Sequence, residues 1–166
     1  MKNLITIVPA LGVLVAVIGL FYQIWRSKFS MNLDLVLKFD DKFNNPDFKK
    51  IRLKVSRTIF NKKMKNKFTD AEDVFDFFET VGYLVRHRAL NKKIVWSTFY
   101  FWVHNYWSYG KDYIINERIE EKDKTIWEDF EWLHNELLKI ERKETGKQEP
   151  EIASKEEILD FFKYEP

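Results

Sequence analysis

Glu131 and His134 stand three residues apart in Glu131-Trp132-Leu133-His134, a spacing that puts a carboxylate and an imidazole on one face of a helix. Di-metal bundles need two such Glu-x-x-His units and two further carboxylates. This chain has one unit and three histidines in all, His87, His104 and His134, so no metal ligands are assigned. A lone histidine on an aromatic helix, such as His104, more often holds structure than moves protons. The sequence has no Gly-rich phosphate loop, no Gly-x-Ser-x-Gly elbow and no cysteine nucleophile. No catalytic residue and no cofactor are therefore assigned. A hydrolase or nuclease would have to gather dispersed acids and histidines, which spacing alone does not assemble.

Charge is the stronger signal. The formal net charge is +2, but its distribution is uneven. Lys49, Lys50, Arg52, Lys54, Arg57, Lys62, Lys63, Lys65 and Lys67 crowd one stretch, whereas the chain beyond Gly110 is dominated by Asp and Glu. Beside a membrane, Lys49, Lys50, Lys54, Arg57, Lys62, Lys63 and Lys65 are placed to meet anionic headgroups at about 1 kcal/mol each. Nucleic acid is the less favoured partner, because no recognition motif accompanies the cluster. The competing assignment is intramolecular, with the basic stretch pairing against the acidic C-terminal third.

Residues 4–25 carry no charge and are mainly Leu, Ile, Val, Ala and Gly, closed by Phe21, Tyr22, Trp25, Arg26 and Lys28. About 21 helical residues span a hydrocarbon core of roughly 30 Å, so the run predicts a transmembrane anchor over residues 1–28. A cleaved signal peptide should end in small residues, and this run ends in bulky ones. Lys2 flanks one side and Arg26, Lys28, Lys38 and Lys42 the other, which places the following domain in the cytoplasm. Gly12, Ala16 and Gly19 share a face of that helix and would let two such helices approach closely, so a homo-oligomer is allowed.

Apolar residues at helical spacing predict the rest. Leu33, Val36, Phe39 and Phe43 stop at Asn44-Asn45-Pro46 and continue the first helix without a break. Further helices are expected over 47–64, 69–88, 91–117 with a kink at Gly110, and 125–143, followed by a short one over 154–162. Thr69 with Glu72, and Ser154 with Glu157, have capping-box spacing. Trp96, Tyr100, Phe101, Trp107 and Tyr109 encircle the fourth helix, as expected of a central element. The fold class is all-α: one transmembrane helix, then an antiparallel bundle of four to five helices plus a short C-terminal helix, residues 29–166 forming the soluble domain.

The order of Asp76-Phe77-Phe78-Glu79, Gly82, Leu84, Val95-Trp96, Phe99, Tyr106-Trp107 and Phe130-Glu131-Trp132-Leu133 resembles a family of small bacterial single-span proteins known as a domain of unknown function. The resemblance implies a membrane-tethered helical domain in bacteria and brings no catalytic residues. It draws attention to Arg52, Glu79 and Arg118, charged residues among apolar ones, as an ionic network that fixes packing between the second, third and fourth helices. The expected function is an interaction module that tethers a protein partner at the bacterial inner membrane. The alternative is an oligomerising effector that perturbs the bilayer, as in phage defence.

Overall fold

In the computed structural model the backbone is described for residues 2–60 and 69–164, and side chains for 12–58 and 70–160. Six α-helices occupy the described residues: α1 Lys2–Asn44, α2 Pro46–Phe60, α3 Thr69–Arg86, α4 Lys92–Glu120, α5 Glu128–Thr145 and α6 Lys155–Tyr164. The all-helical expectation holds.

The transmembrane anchor does not. Among the described residues no helix is long and apolar enough to cross a membrane. The uncharged stretch of α1 ends at Trp25. Arg26 and Lys28 follow at once. The boundary expected at residue 28 falls inside α1, which continues to Asn44 without interruption. Its C-terminal part belongs to the bundle: Val36 and Phe43 are buried there, with Leu35 and Phe39 packed against the core.

Rings fill much of that core. Phe43 lies 5.2 Å from Phe77, 5.8 Å from Phe78 and 5.5 Å from Phe99, centroid to centroid, so one side chain of α1 ties α3 and α4 together. Burial of such a ring contributes about 2–3 kcal/mol, with a further increment of about 1 kcal/mol from edge contacts. α4 is the central element, as its encircling aromatics require: residues 102–107 are all buried. α4 runs on through Gly110 to Glu120 as one helix. Gly110 makes room for the Phe75 ring, whose nearest atom would lie 2.6 Å from an added Cβ.

α4 and α5 run antiparallel, as shown by the pairs Lys92–Glu136, His104–His134 and Trp107–Phe130. α5 crosses α3 at Gly82, where a Cβ would meet the Asp129 carbonyl oxygen at 2.2 Å. The chain then returns over α4. Tyr109 donates to the Ala153 carbonyl at 2.8 Å, and the Ala153 amide donates to Asn105 at 2.9 Å. The Ser154–Glu157 capping box forms in both directions, with the Ser154 amide donating to Glu157 at 2.7 Å and the Glu157 amide to Ser154 at 3.2 Å. α6 docks through Ile158, which is buried.

Candidate functional site

Three features stand out once the bundle is assembled: an uncovered apolar arm, a ladder of stacked rings that includes two buried histidines, and a set of charged side chains used as packing devices.

The arm is the N-terminal part of α1. Val13, Leu14, Val15, Ile18, Leu20, Phe21, Tyr22, Trp25 and Phe29 are all exposed, from 54% for Phe29 to 68% for Phe21. Consecutive positions around a helix point in all directions, so the apolar surface encircles the arm rather than forming one stripe. Gly12 and Ala16 are exposed and Gly19 is half-buried; an added Cβ at Gly12 or Gly19 would meet nothing within 4 Å. Close helix packing at these positions is therefore not used inside the described molecule.

The basic stretch is partly engaged within the chain. Lys54 pairs with Asp70 at the start of α3, and Lys50 pairs with Asp47 at 3.0 Å within α2. Lys49 and Arg57 have partners of their own. Lys62, Lys63 and Lys65 lie outside the described residues. Intramolecular pairing therefore takes up part of the positive charge, from α3 and α2 rather than solely from the acidic C-terminal third.

Arg52, Glu79 and Arg118 are each held by a different set of contacts. Arg52 is fully buried, its guanidinium 3.7 Å from the Phe43 ring centre and 4.9 Å from that of Trp102. A planar cation set against two aromatic rings is held by their negative faces. Glu79 accepts the amide of Phe130 at 2.7 Å. α5 starts after Trp127, a left-handed residue that provides no side-chain cap, so α3 lends it one. Burial raises the Glu79 pKa, opposed by the amides of Phe130 and Asp129, while the Asp129 and Glu128 charges raise it further. Arg118 donates to the Ile126 carbonyl at 2.8 Å and to Glu131 at 2.6 Å. Glu131, the carboxylate of the Glu-x-x-His unit, is thus in an ion pair with Arg118. His134 is turned elsewhere.

The spacing-based reading missed where His134 goes. His104 Nδ1 and His134 Nε2 lie 3.2 Å apart, both rings buried and stacked within 10° of parallel. Tyr100 stacks beyond His104 and Trp107 beyond His134, giving a four-ring ladder between α4 and α5. One imidazole donates to the other, which requires the pair to be neutral or singly protonated. Burial lowers the His134 pKa to about 4, with the neighbouring His104 as the next cause. Burial likewise lowers that of His104, against the Pro150 carbonyl and Glu141. A sequence signal existed: Phe130, His134 and Leu137 share the buried stripe of α5. The pairing of two stripes on different helices did not follow from spacing. Among the described residues no group of three or more His, Asp or Glu is placed to hold a metal.

Comparison with known proteins gives a family. The family model described as Domain of unknown function (DUF4760) matches residues 6–137. The chain belongs to that family. The match takes in α1 to α4 and the first half of α5, and so includes the arm, the Arg52 cage and both histidines. No curated protein and no solved structure matches the chain.

Proposed function

We propose that this DUF4760 chain is a non-catalytic tether: the bundle holds a protein partner, and the apolar arm of α1 holds the bundle at the surface of the bacterial inner membrane. The observation that supports this reading is the uncovered arm. A helix that is apolar on every side is stable in water only when something covers it. Full burial of a ring such as Phe21 or Trp25 contributes about 2–3 kcal/mol, so a handful of them suffices for lasting attachment. Lipid that takes in the exposed rings removes that apolar surface from water. Arg26 and Lys28 follow Trp25 directly and suit anionic headgroups at that level.

Flotation of the full chain with vesicles of phosphatidylethanolamine and phosphatidylglycerol tests the attachment. Wild type is expected to float, and Phe21→Ser with Trp25→Ser to float markedly less. A wild-type chain that stays at the bottom of the gradient removes the reading.

A second reading, an oligomerising effector that perturbs the bilayer, draws on the open space around Gly12 and Gly19. It requires self-association through that face of the arm.

A further inference from the structure

A recess lies at the foot of the arm, where α1 meets the bundle. It is a cavity of about 480 Å³ walled by Asn32 of α1, Arg86 and Arg88 at the end of α3, Asn91 and Lys92 at the start of α4, and Trp132 of α5. Val85 and Leu90, both buried, close its floor. We propose that this cavity binds a phosphate ester whose attached group carries a hydrogen-bond donor. The site is independent of the tether described above, since neither its walls nor its test involve the exposed rings of the arm.

Three cations face one small volume, and their existing bonds leave them able to take an anion. Arg86 uses a single nitrogen, Nη1, for both Asp129 at 2.8 Å and Glu128 at 3.3 Å. Its remaining donors are not engaged by those carboxylates. Lys92 meets Glu136 at 2.9 Å with one of its three donors. These carboxylates neutralise part of the charge and also fix where the two cationic heads sit. Arg88 makes no ion pair with the described residues and supplies the excess charge. A tetrahedral oxyanion offers several oxygens to such a set, and guanidinium forks fit it well.

The polar and apolar walls add the second half of the ligand. Asn32 donates its amide to the Lys28 carbonyl at 2.9 Å, while its Oδ1 is buried without a partner. That oxygen can only accept, so an anion alone leaves it unsatisfied, whereas a hydroxyl or ammonium on the same ligand satisfies it. The cavity is also larger than a bare phosphate needs, and Val85, Leu90 and the Trp132 ring suit a short carbon body.

Arg88 gives the site a clean test. It sits just beyond α3 with φ 60°, a left-handed conformation that favours glycine at the end of a helix. Fold stability alone would therefore choose glycine here. Arg88→Gly relieves the backbone and removes the unpaired charge, so loss of binding in that variant cannot be ascribed to unfolding.

The phosphate ester has two possible sources, a soluble metabolite or a lipid headgroup. Calorimetric titration of the full chain, held in a nonionic phosphate-free detergent, distinguishes them with glycerol 3-phosphate and short-chain phosphatidylglycerol as probes. Binding of glycerol 3-phosphate, weakened about tenfold or more by Arg88→Gly, supports the site with a soluble ester. Binding of phosphatidylglycerol alone, with the same loss, supports it with a headgroup. Asn32→Leu is expected to weaken the bound probe, and unchanged affinity there overturns the donor requirement. If neither probe binds, or if Arg88→Gly binds as tightly as wild type, the site is overturned.

Discussion

At the scale of the residue, the two buried histidines set how the bundle responds to acid. Each has a folded pKa below its ordinary value because burial penalises the imidazolium, and the neighbouring His104 lowers that of His134 further, to about 4. Below about pH 6.5 the unfolded chain takes up protons that the folded chain refuses, so stability falls. The loss runs from about pH 6.5 down to about 4 and then levels off, amounting to about 3 kcal/mol for His134. Above that window the contribution is fully present. Urea unfolding across this range should show the slope in wild type and a flatter one in His134→Gln, whose amide can still bond to His104 but cannot be charged. Equal slopes in the two proteins would show that the pair does not titrate in this way. Glu141 on α5 faces His104, and Arg142 and Lys111 bear on His134, so the comparison is best made between variants that leave these groups unchanged.

At the scale of the element, the contact between α3 and α5 depends on Gly82. Alanine would normally favour a helix over glycine by about 1 kcal/mol. Here its Cβ would meet a backbone oxygen at 2.2 Å, which no side-chain rotation relieves. Gly82→Ala should therefore lower stability by about 1–3 kcal/mol, seen as a drop in the thermal midpoint. Gly19→Ala, with open space around it, should leave the midpoint unchanged or raise it slightly. A Gly82→Ala protein as stable as wild type would mean that α5 does not cross α3 so closely. The helices themselves were legible in the sequence because apolar residues recur at helical spacing and the Ser154–Glu157 box has its own chemistry. The central place of α4 was legible too, since its rings exceed what one face can bury. Less accessible was the start of α5: Thr125 was the expected first residue, but the helix begins at Glu128. Its cap comes from Glu79 on another helix, and such a partner leaves no local trace in the sequence.

At the scale of the whole molecule, one long helix has two different surroundings. From Val36 onward α1 is part of the core, and before Asn32 it stands clear of it. The apolar composition of the N-terminal run was read as a membrane span, whereas the described helix is not long and apolar enough for one. Composition reports that a segment avoids water and does not by itself fix how it is covered. The candidate sites were less legible than the fold. Arg52, Glu79 and Arg118 stand among apolar residues in the sequence, but spacing does not show which partners each takes. The histidine ladder and the cavity beside Arg88 join residues far apart in the chain, and such contacts appear only after packing.

In the proposed tether the bundle holds a protein partner while the arm holds lipid. Crosslinking of the tagged full chain in its own host, followed by gentle detergent purification and mass spectrometry, tests it most directly. One reproducible protein partner at fixed stoichiometry is expected, crosslinked to residues of the bundle and retained when Phe21 and Trp25 are replaced by serine. A ladder of self-crosslinks alone, passing through the arm and abolished by Gly12→Leu, would contradict the tether and favour the oligomerising effector.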